Sequence, residues 1–150
     1  MPNSEAETDA VYARLLQEHA RQPLHRGRPA TVAAEGHGTN PMCGDEITVF
    51  LTERAPDSFG EIWFQAQACA LCQASASLMI RQTSPLDPAA ALVLANEMAH
   101  LERMTPPDQS VDDAWRCIQH VLKTAPRRRR CVELPWIALE NALRIPPNLD

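Results

Sequence analysis

Hydrophobic positions fall into two regimes along this chain, one of period 3.6 and one of period 2. From about Glu7 to Gln22, Val11, Leu15 and Leu16, with the amphipathic Tyr12 and His19, recur at helical spacing, and Pro23 ends the segment. A short, weak strand is expected around Ala30 to Glu35, followed by a Gly/Asn/Pro turn through "GHGTNPMCGD". "EITVFLTE" is the clearest strand, with Ile47, Val49 and Leu51 on one face and Thr48, Phe50 and Thr52 on the other. After the turn "APDSFG", "EIWFQAQAC" supplies a third strand, antiparallel to the second.

Beyond Cys69 small helix-formers take over. "ALCQASASLMIRQT" predicts a helix to about Gln82, and "DPAAALVLANEMAHLERM" another, starting at Asp87 with Pro88 in its first turn. "SVDDAWRCIQHVLK" predicts a third, capped by Ser110, and "LPWIALENALRI" a last one with Pro135 at its start. Strands first and helices after predict an α+β fold, a small antiparallel sheet of about three strands covered by helices.

Length and composition narrow the picture. One hundred and fifty residues, 45% of them hydrophobic, suit a single domain over 1–150 with a real core. The opening "MPNSEAETDA" lacks the basic, then apolar start of a secretory signal, and no stretch is long and apolar enough to span a bilayer, so a cytoplasmic protein with no membrane partner is expected. A net charge of −5 argues against a general nucleic-acid binder. Against that background "RRRR", Arg127 to Arg130, stands out: it reads equally as a docking patch with local charge compensation or as a solvated face.

Reduced thiols are the rule in the cytoplasm, so the five cysteines (43, 69, 72, 117 and 131) read as metal ligands, reactive thiols or core residues. Cys43 precedes the second strand, Cys69 follows the third and Cys131 precedes the last helix, all positions where a side chain can point into a pocket. With Asp45 they make three thiolates and a carboxylate, a donor set suited to tetrahedral zinc. Their spacing lacks the duplicated CxxC of zinc ribbons, so on spacing alone a metal site and separate buried thiols stay equally open.

Three ordered motifs carry more. "NPMCGD" (Asn40 to Asp45), "CALCQASASLM" (Cys69 to Met79) and "RCVELPWIAL" (Arg130 to Leu139), together with the opening "VYARLLQEHARQPLHRG", resemble the SufU and IscU group, the NifU amino-terminal-like proteins of iron–sulfur cluster biogenesis. The long interval between Cys69 and Cys131, and Arg130 where IscU proteins typically carry histidine, resemble the SufU type. The resemblance implies a zinc-dependent sulfurtransferase that accepts persulfide sulfur from a pyridoxal-phosphate cysteine desulfurase of the SufS kind and passes it toward a SufBCD-type scaffold. It also implies Cys43, Asp45, Cys69 and Cys131 as Zn²⁺ ligands and Cys43 as the persulfide acceptor.

A ligand on a Gly-bounded turn leaves a metal most easily, whereas a helix amino terminus favours a retained thiolate; both point to Cys43 as the swinging ligand, its place taken by a partner's residue, a histidine as the resemblance implies. Three thiolates and a carboxylate on Zn²⁺ leave a charge of about −2, and Arg128 is expected to compensate it from the outer shell. Two alternatives use the same residues: a scaffold on which a [2Fe–2S] iron–sulfur cluster is assembled, and a structural zinc domain without catalytic role. Cys72 stands where the family usually has serine, and one helical turn from Cys69 it reads first as core and second as a metal-proximal or redox thiol. Cys117, Trp63, Trp115 and Trp136 read as packing residues, Trp136 also as a wall of the site; among the histidines only His37, near Cys43, reads as a pocket candidate.

Overall fold

The computed structural model of the chain describes residues 5–101 and 113–147, the side chains of residues 5–12, 113–115 and 117 excepted. Its elements run α1 (Glu5–Arg21), β1 (Ala34–Asn40), β2 (Asp45–Leu51), β3 (Ile62–Gln67), α2 (Ala70–Thr83), α3 (Pro88–Ala99), α4 (Asp113–Thr124), a 3-10 turn at Pro126–Arg128, and α5 (Arg129–Leu143). The strands form one antiparallel sheet in the order β1-β2-β3, with Asn40 opposite Asp45 and Ile47 opposite Ala66. The α+β architecture expected from the pattern is the one found.

Ile47, Val49, Leu51, Ile62 and Phe64 line the helix-facing side of the sheet and are at most 2% exposed. Apolar side chains of α2, α3 and α5 complete the core, as period-2 strands beneath apolar helix stripes require. On the opposite face Phe50 is also buried, because the segment before β1 crosses it: Arg28 lies 5.0 Å above its ring, and Ala33 N–H bonds the Leu51 carbonyl at 2.8 Å. His25 stacks on Trp63 at 4.7 Å, which places this tryptophan on the outer face.

Strand β1 lies further along than the expected 30–35 segment. Residues 36–40, "GHGTN", read as a turn because glycine and asparagine are poor strand formers. The packing explains their presence. A Cβ at Gly36 would overlap the Ala138 carbonyl oxygen and sit 2.5 Å from Ala142 N, and one at Gly38 would sit 3.0 Å from the Leu134 carbonyl oxygen. The glycines let the backbone of α5 lie directly on β1. Asn141 Nδ2 also donates to the His37 carbonyl, at 3.0 Å, so α5 covers that edge of the sheet.

Two further expectations change. Helix α5 begins at Arg129, not at Pro135, which sits inside it. Cys131 therefore belongs to its first turn. Proline has no N–H to give the Cys131 carbonyl, so the helix lacks one internal bond at that residue. Asp87 caps α3 as expected, accepting the Ala90 N–H at 2.8 Å, whereas Ser110 lies outside the described residues. In α1 the side chains of Val11 and Tyr12 also lie outside them, while Leu15 and Leu16 pack on Leu78 of α2.

The "ASAS" run of α2 holds two buried hydroxyls that face different neighbours. Ser77 accepts the Leu24 N–H at 2.9 Å and lies 2.6 Å from His19 Nδ1, which ties α1 and the chain after it to α2. Burial lowers the His19 pKa below 6.5, with the Arg81 charge acting the same way and Glu18 opposing. A histidine kept neutral by the fold binds fewer protons than the unfolded chain does. The stability this gives is complete above the unfolded pKa of about 6.5 and is lost as pH falls from there toward the lowered value.

Two outcomes follow for stability. Gly36→Ala should lower it by at least about 2 kcal/mol, since the backbones must part, read as a lower urea midpoint with unchanged slope. His19→Gln should remove part of the loss of stability below pH 6.5, read by urea titrations at several pH values.

Candidate metal centre

The turn between β1 and β2 is built around Asn40. Its carbonyl accepts the N–H groups of Cys43 (3.2 Å) and Gly44 (2.8 Å), and its Oδ1 accepts that of Met42 (3.2 Å). Gly44 closes the turn at φ +76°, a left-handed conformation that an L side chain rarely adopts. The product is a tight turn that points Met42, 94% exposed, and Cys43, also exposed, outward. The Cys43 thiol rests 3.8 Å from the Asn40 carbonyl oxygen.

Asp45 opens β2 on the helix-facing side and is buried. Its Oδ1 accepts the backbone N–H of Cys69 at 3.2 Å, while Oδ2 is buried with no hydrogen-bond partner. Cys69 is the N-cap of α2 and makes no capping bond with its side chain, so its sulfur is available elsewhere. Gln73 donates to both carbonyls at this corner, through its N–H to Cys69 (3.2 Å) and its Nε2 to Ala68 (3.1 Å). Cys131, 6% exposed, arrives from the first turn of α5.

These positions converge. One ligand atom each from Cys43, Asp45 and Cys131 lies within 4.8 Å of the others. Tetrahedral ligands about 2.3 Å from a zinc ion are about 3.8 Å apart, so the cluster is close to that spacing. The Cys69 thiol lies outside that triplet, and both it and the Arg128 guanidinium act on the Cys131 thiol at short range. The structure thus brings Cys43, Asp45 and Cys131 together, with Cys69 and Arg128 beside the triplet.

Electrostatics there favours an added cation. Burial pushes the Cys131 thiol up to about 11; the Arg128 hydrogen bond opposes this and the neighbouring Cys69 reinforces it. Hydrogen bonds to Cys131 and then Cys69 raise the Arg128 pKa above its already high ordinary value. Crowded thiols, a buried carboxylate oxygen without a partner and a single guanidinium make a donor set short of positive charge. The residues fit a divalent ion, with Cys43, Asp45, Cys69 and Cys131 as the groups to hold it.

The arginine run is divided between two tasks. Arg128 turns to the thiols, whereas Arg129 and Arg130 converge on Glu133 at 3.8 and 3.5 Å. Glu133 is 2% exposed and also accepts the Leu101 N–H at 2.8 Å. Sequence reasoning missed Glu133 and Asn40, and "RxxE" at helical spacing was the available signal for the first.

Cys72 is fully buried behind the site; burial first, then the charges of Cys69, Asp45, Cys131 and Cys43, push its thiol well above the ordinary range. The core reading is the one its position supports. His37 points to the outer face of the sheet and bonds Thr48 Oγ1 at 3.0 Å, outside the cluster. Trp136 is buried at 1% exposure, and the side chains of Cys117 and Trp115 lie outside the described residues.

The family profile of the NifU-like N terminal domain matches residues 11–143. The chain belongs to that family. Among its relatives is the zinc-dependent sulfurtransferase SufU of Bacillus subtilis (strain 168), 26% identical over 140 residues that cover 92% of each chain. Another is the iron–sulfur cluster assembly scaffold protein IscU of Thermotoga maritima, 29% identical over 140 residues, 89% of this chain and 93% of that one. A crystal structure of FiSufU from Fervidobacterium islandicum AW-1, titled as an iron–sulfur cluster assembly scaffold protein for the SUF system, superposes with a TM-score of 0.74 at 25% identity, over 90% of this chain and 98% of the other. Its three-stranded sheet and helical cover are thus those of SufU- and IscU-like proteins, and no helix among the described residues is long and apolar enough to cross a membrane.

Exposure orders the described thiols by reactivity, and burial makes the Cys72 thiol harder still to ionise. In metal-free, folded protein, iodoacetamide should label Cys43 first and Cys72 last among the four described thiols, as followed by peptide mass spectrometry over time. Equal rates at the two positions would contradict the buried placement of Cys72.

Proposed function

We propose that this protein is a zinc-dependent sulfurtransferase of iron–sulfur cluster biogenesis that accepts sulfur from a SufS-type cysteine desulfurase and passes it to a SufBCD-type assembly scaffold. The observation that carries the reading is the exposed Cys43 joined to buried Asp45 and Cys131 in one cluster, beside an unpartnered Asp45 Oδ2. Zinc bound there keeps its cysteine ligands as thiolates at neutral pH. Similarity to the SufU of Bacillus subtilis, a zinc-dependent sulfurtransferase, supports the choice of metal and activity.

Each residue then has a task. Asp45, Cys69 and Cys131 are fixed by a strand start and two helix starts, so they retain their places while Cys43 moves on its turn. The Cys43 thiolate attacks the outer sulfur of the donor's cysteine persulfide. A sulfur–sulfur bond forms on Cys43, the donor's sulfur–sulfur bond breaks, and the donor cysteine leaves as a thiolate, with no net oxidation. Arg128 stays with the two retained sulfurs and offsets their negative charge. Met42, projecting beside Cys43, places an apolar contact where a donor must approach.

A second reading, a scaffold for a [2Fe–2S] cluster on the same four ligands, draws on similarity to the Thermotoga maritima IscU. The exposed position of Cys43 favours transfer, because a nucleophile must reach a partner's persulfide.

Purified protein should contain close to one zinc per chain and accelerate a SufS-type desulfurase; Cys43→Ala should abolish the acceleration and Cys72→Ala should keep it. Iron with sulfide and a visible absorbance would establish the scaffold reading instead. Zinc without effect on any desulfurase, with loss of the fold on chelation, would indicate a purely structural ion.

A further inference from the structure

Helices α2 and α5 deliver Cys69 and Cys131, and one buried polar bond joins them behind the site. Ser75 Oγ donates to the Val132 carbonyl at 2.7 Å, between residues that are 2% and 1% exposed. Val132 is the immediate neighbour of Cys131, and Ser75 lies less than two turns along the helix that Cys69 caps.

The bond is placed where α5 is least able to hold itself. Pro135 gives no N–H to the Cys131 carbonyl, so the turn bearing that ligand lacks an internal tie. Ser75 supplies a donor from α2 to the next carbonyl. Ala74 and Ala76, 1% and 0% exposed, flank it with no bulk that would hold the helices apart. A hydrogen bond in a dry interior is directional and tolerates little sliding, unlike contact between apolar surfaces. Ser75 therefore governs how far the first turn of α5 stands from the start of α2.

We propose that Ser75 is a positioning residue of the metal centre, setting the separation of Cys69 and Cys131 through the Val132 carbonyl. Ser77, two residues on, is the internal comparison. It too is buried and hydrogen-bonded, but its hydroxyl meets His19 and the Leu24 N–H, on the side of α1 and the chain after it. The inference rests on the reading of the four ligands as a zinc site. It adds that the "ASAS" run carries two hydroxyls with separate duties, of which one serves the site.

The test compares Ser75→Ala with Ser77→Ala in the full chain. Alanine suits both helix positions, so both variants should fold, each with a lowered melting temperature in the metal-free state. Zinc affinity, measured by competition with a chromophoric chelator, should fall about tenfold in Ser75→Ala and less than about twofold in Ser77→Ala. Replacing zinc by Co²⁺ gives a second readout: the position and intensity of the thiolate-to-cobalt and ligand-field bands should change in Ser75→Ala and match wild type in Ser77→Ala. Wild-type bands and affinity in Ser75→Ala, or equal losses in both variants, would overturn the assignment of Ser75. A wild-type protein that binds neither metal through its thiolates would overturn the zinc reading, and the role of Ser75 with it.

Discussion

The close approach of α5 to β1 is the constraint on which the rest of the structure depends. Leu134, Ala138 and Ala142, spaced four apart, run along the strand, with Leu134 beside Gly38 and the other two beside Gly36. The helix therefore runs antiparallel to β1, and its amino-terminal end falls where the strand finishes. There Asn40 begins the turn that presents Cys43. Any side chain at Gly36 would lift the helix and carry Cys131 away from Cys43 and Asp45. The core packing and the cluster are thus two consequences of one backbone contact.

Around that contact, buried polar bonds supply what apolar packing cannot. Greasy surfaces hold helices together but leave them free to slide by fractions of an ångström. The hydroxyls of Ser75 and Ser77, the Glu133 carboxylate on Leu101 N–H, and Asn96 on Glu140 each fix one element against another. Hydrogen bonds to Asn96 and Arg144 hold Glu140 below the usual carboxylate range, although burial alone would raise it. Such groups cost more to bury than an apolar side chain, and each is satisfied here by a partner from another element.

The candidate site divides between anchored and solvent-exposed parts. Asp45, Cys69 and Cys131 sit at the ends of regular elements, and the side chain that meets solvent, Cys43, sits on a turn held by its own backbone bonds. Buried Asp45 and Cys131 and the reachable Cys43 thiol form one cluster, with Cys69 at its border. Arg128 lies with the thiols, while Glu133 draws Arg129 and Arg130 aside.

Much of this was legible in one dimension. Period-2 and period-3.6 patterns located β2, β3 and the helices, because burial on one face is a local demand on side-chain spacing. The motifs around Cys43, Cys69 and Cys131 singled out the candidate site residues, because turn and cap chemistry is also local. What could not be read was anything whose reason lies across space. Gly36 and Gly38 looked like a turn until α5 lay against them; Pro135 looked like a helix start until Arg129 to Leu134 were seen to continue the helix upstream. Ser75 and Ser77 are the same residue two positions apart, yet one faces α5 and the other α1. The sequence by itself determined the period of most elements and which side chains are candidates for the chemistry. Tertiary structure alone decided which backbones touch and which donor meets which carbonyl, since hydrogen bonds and van der Waals contacts act over a few ångströms between residues far apart in the chain.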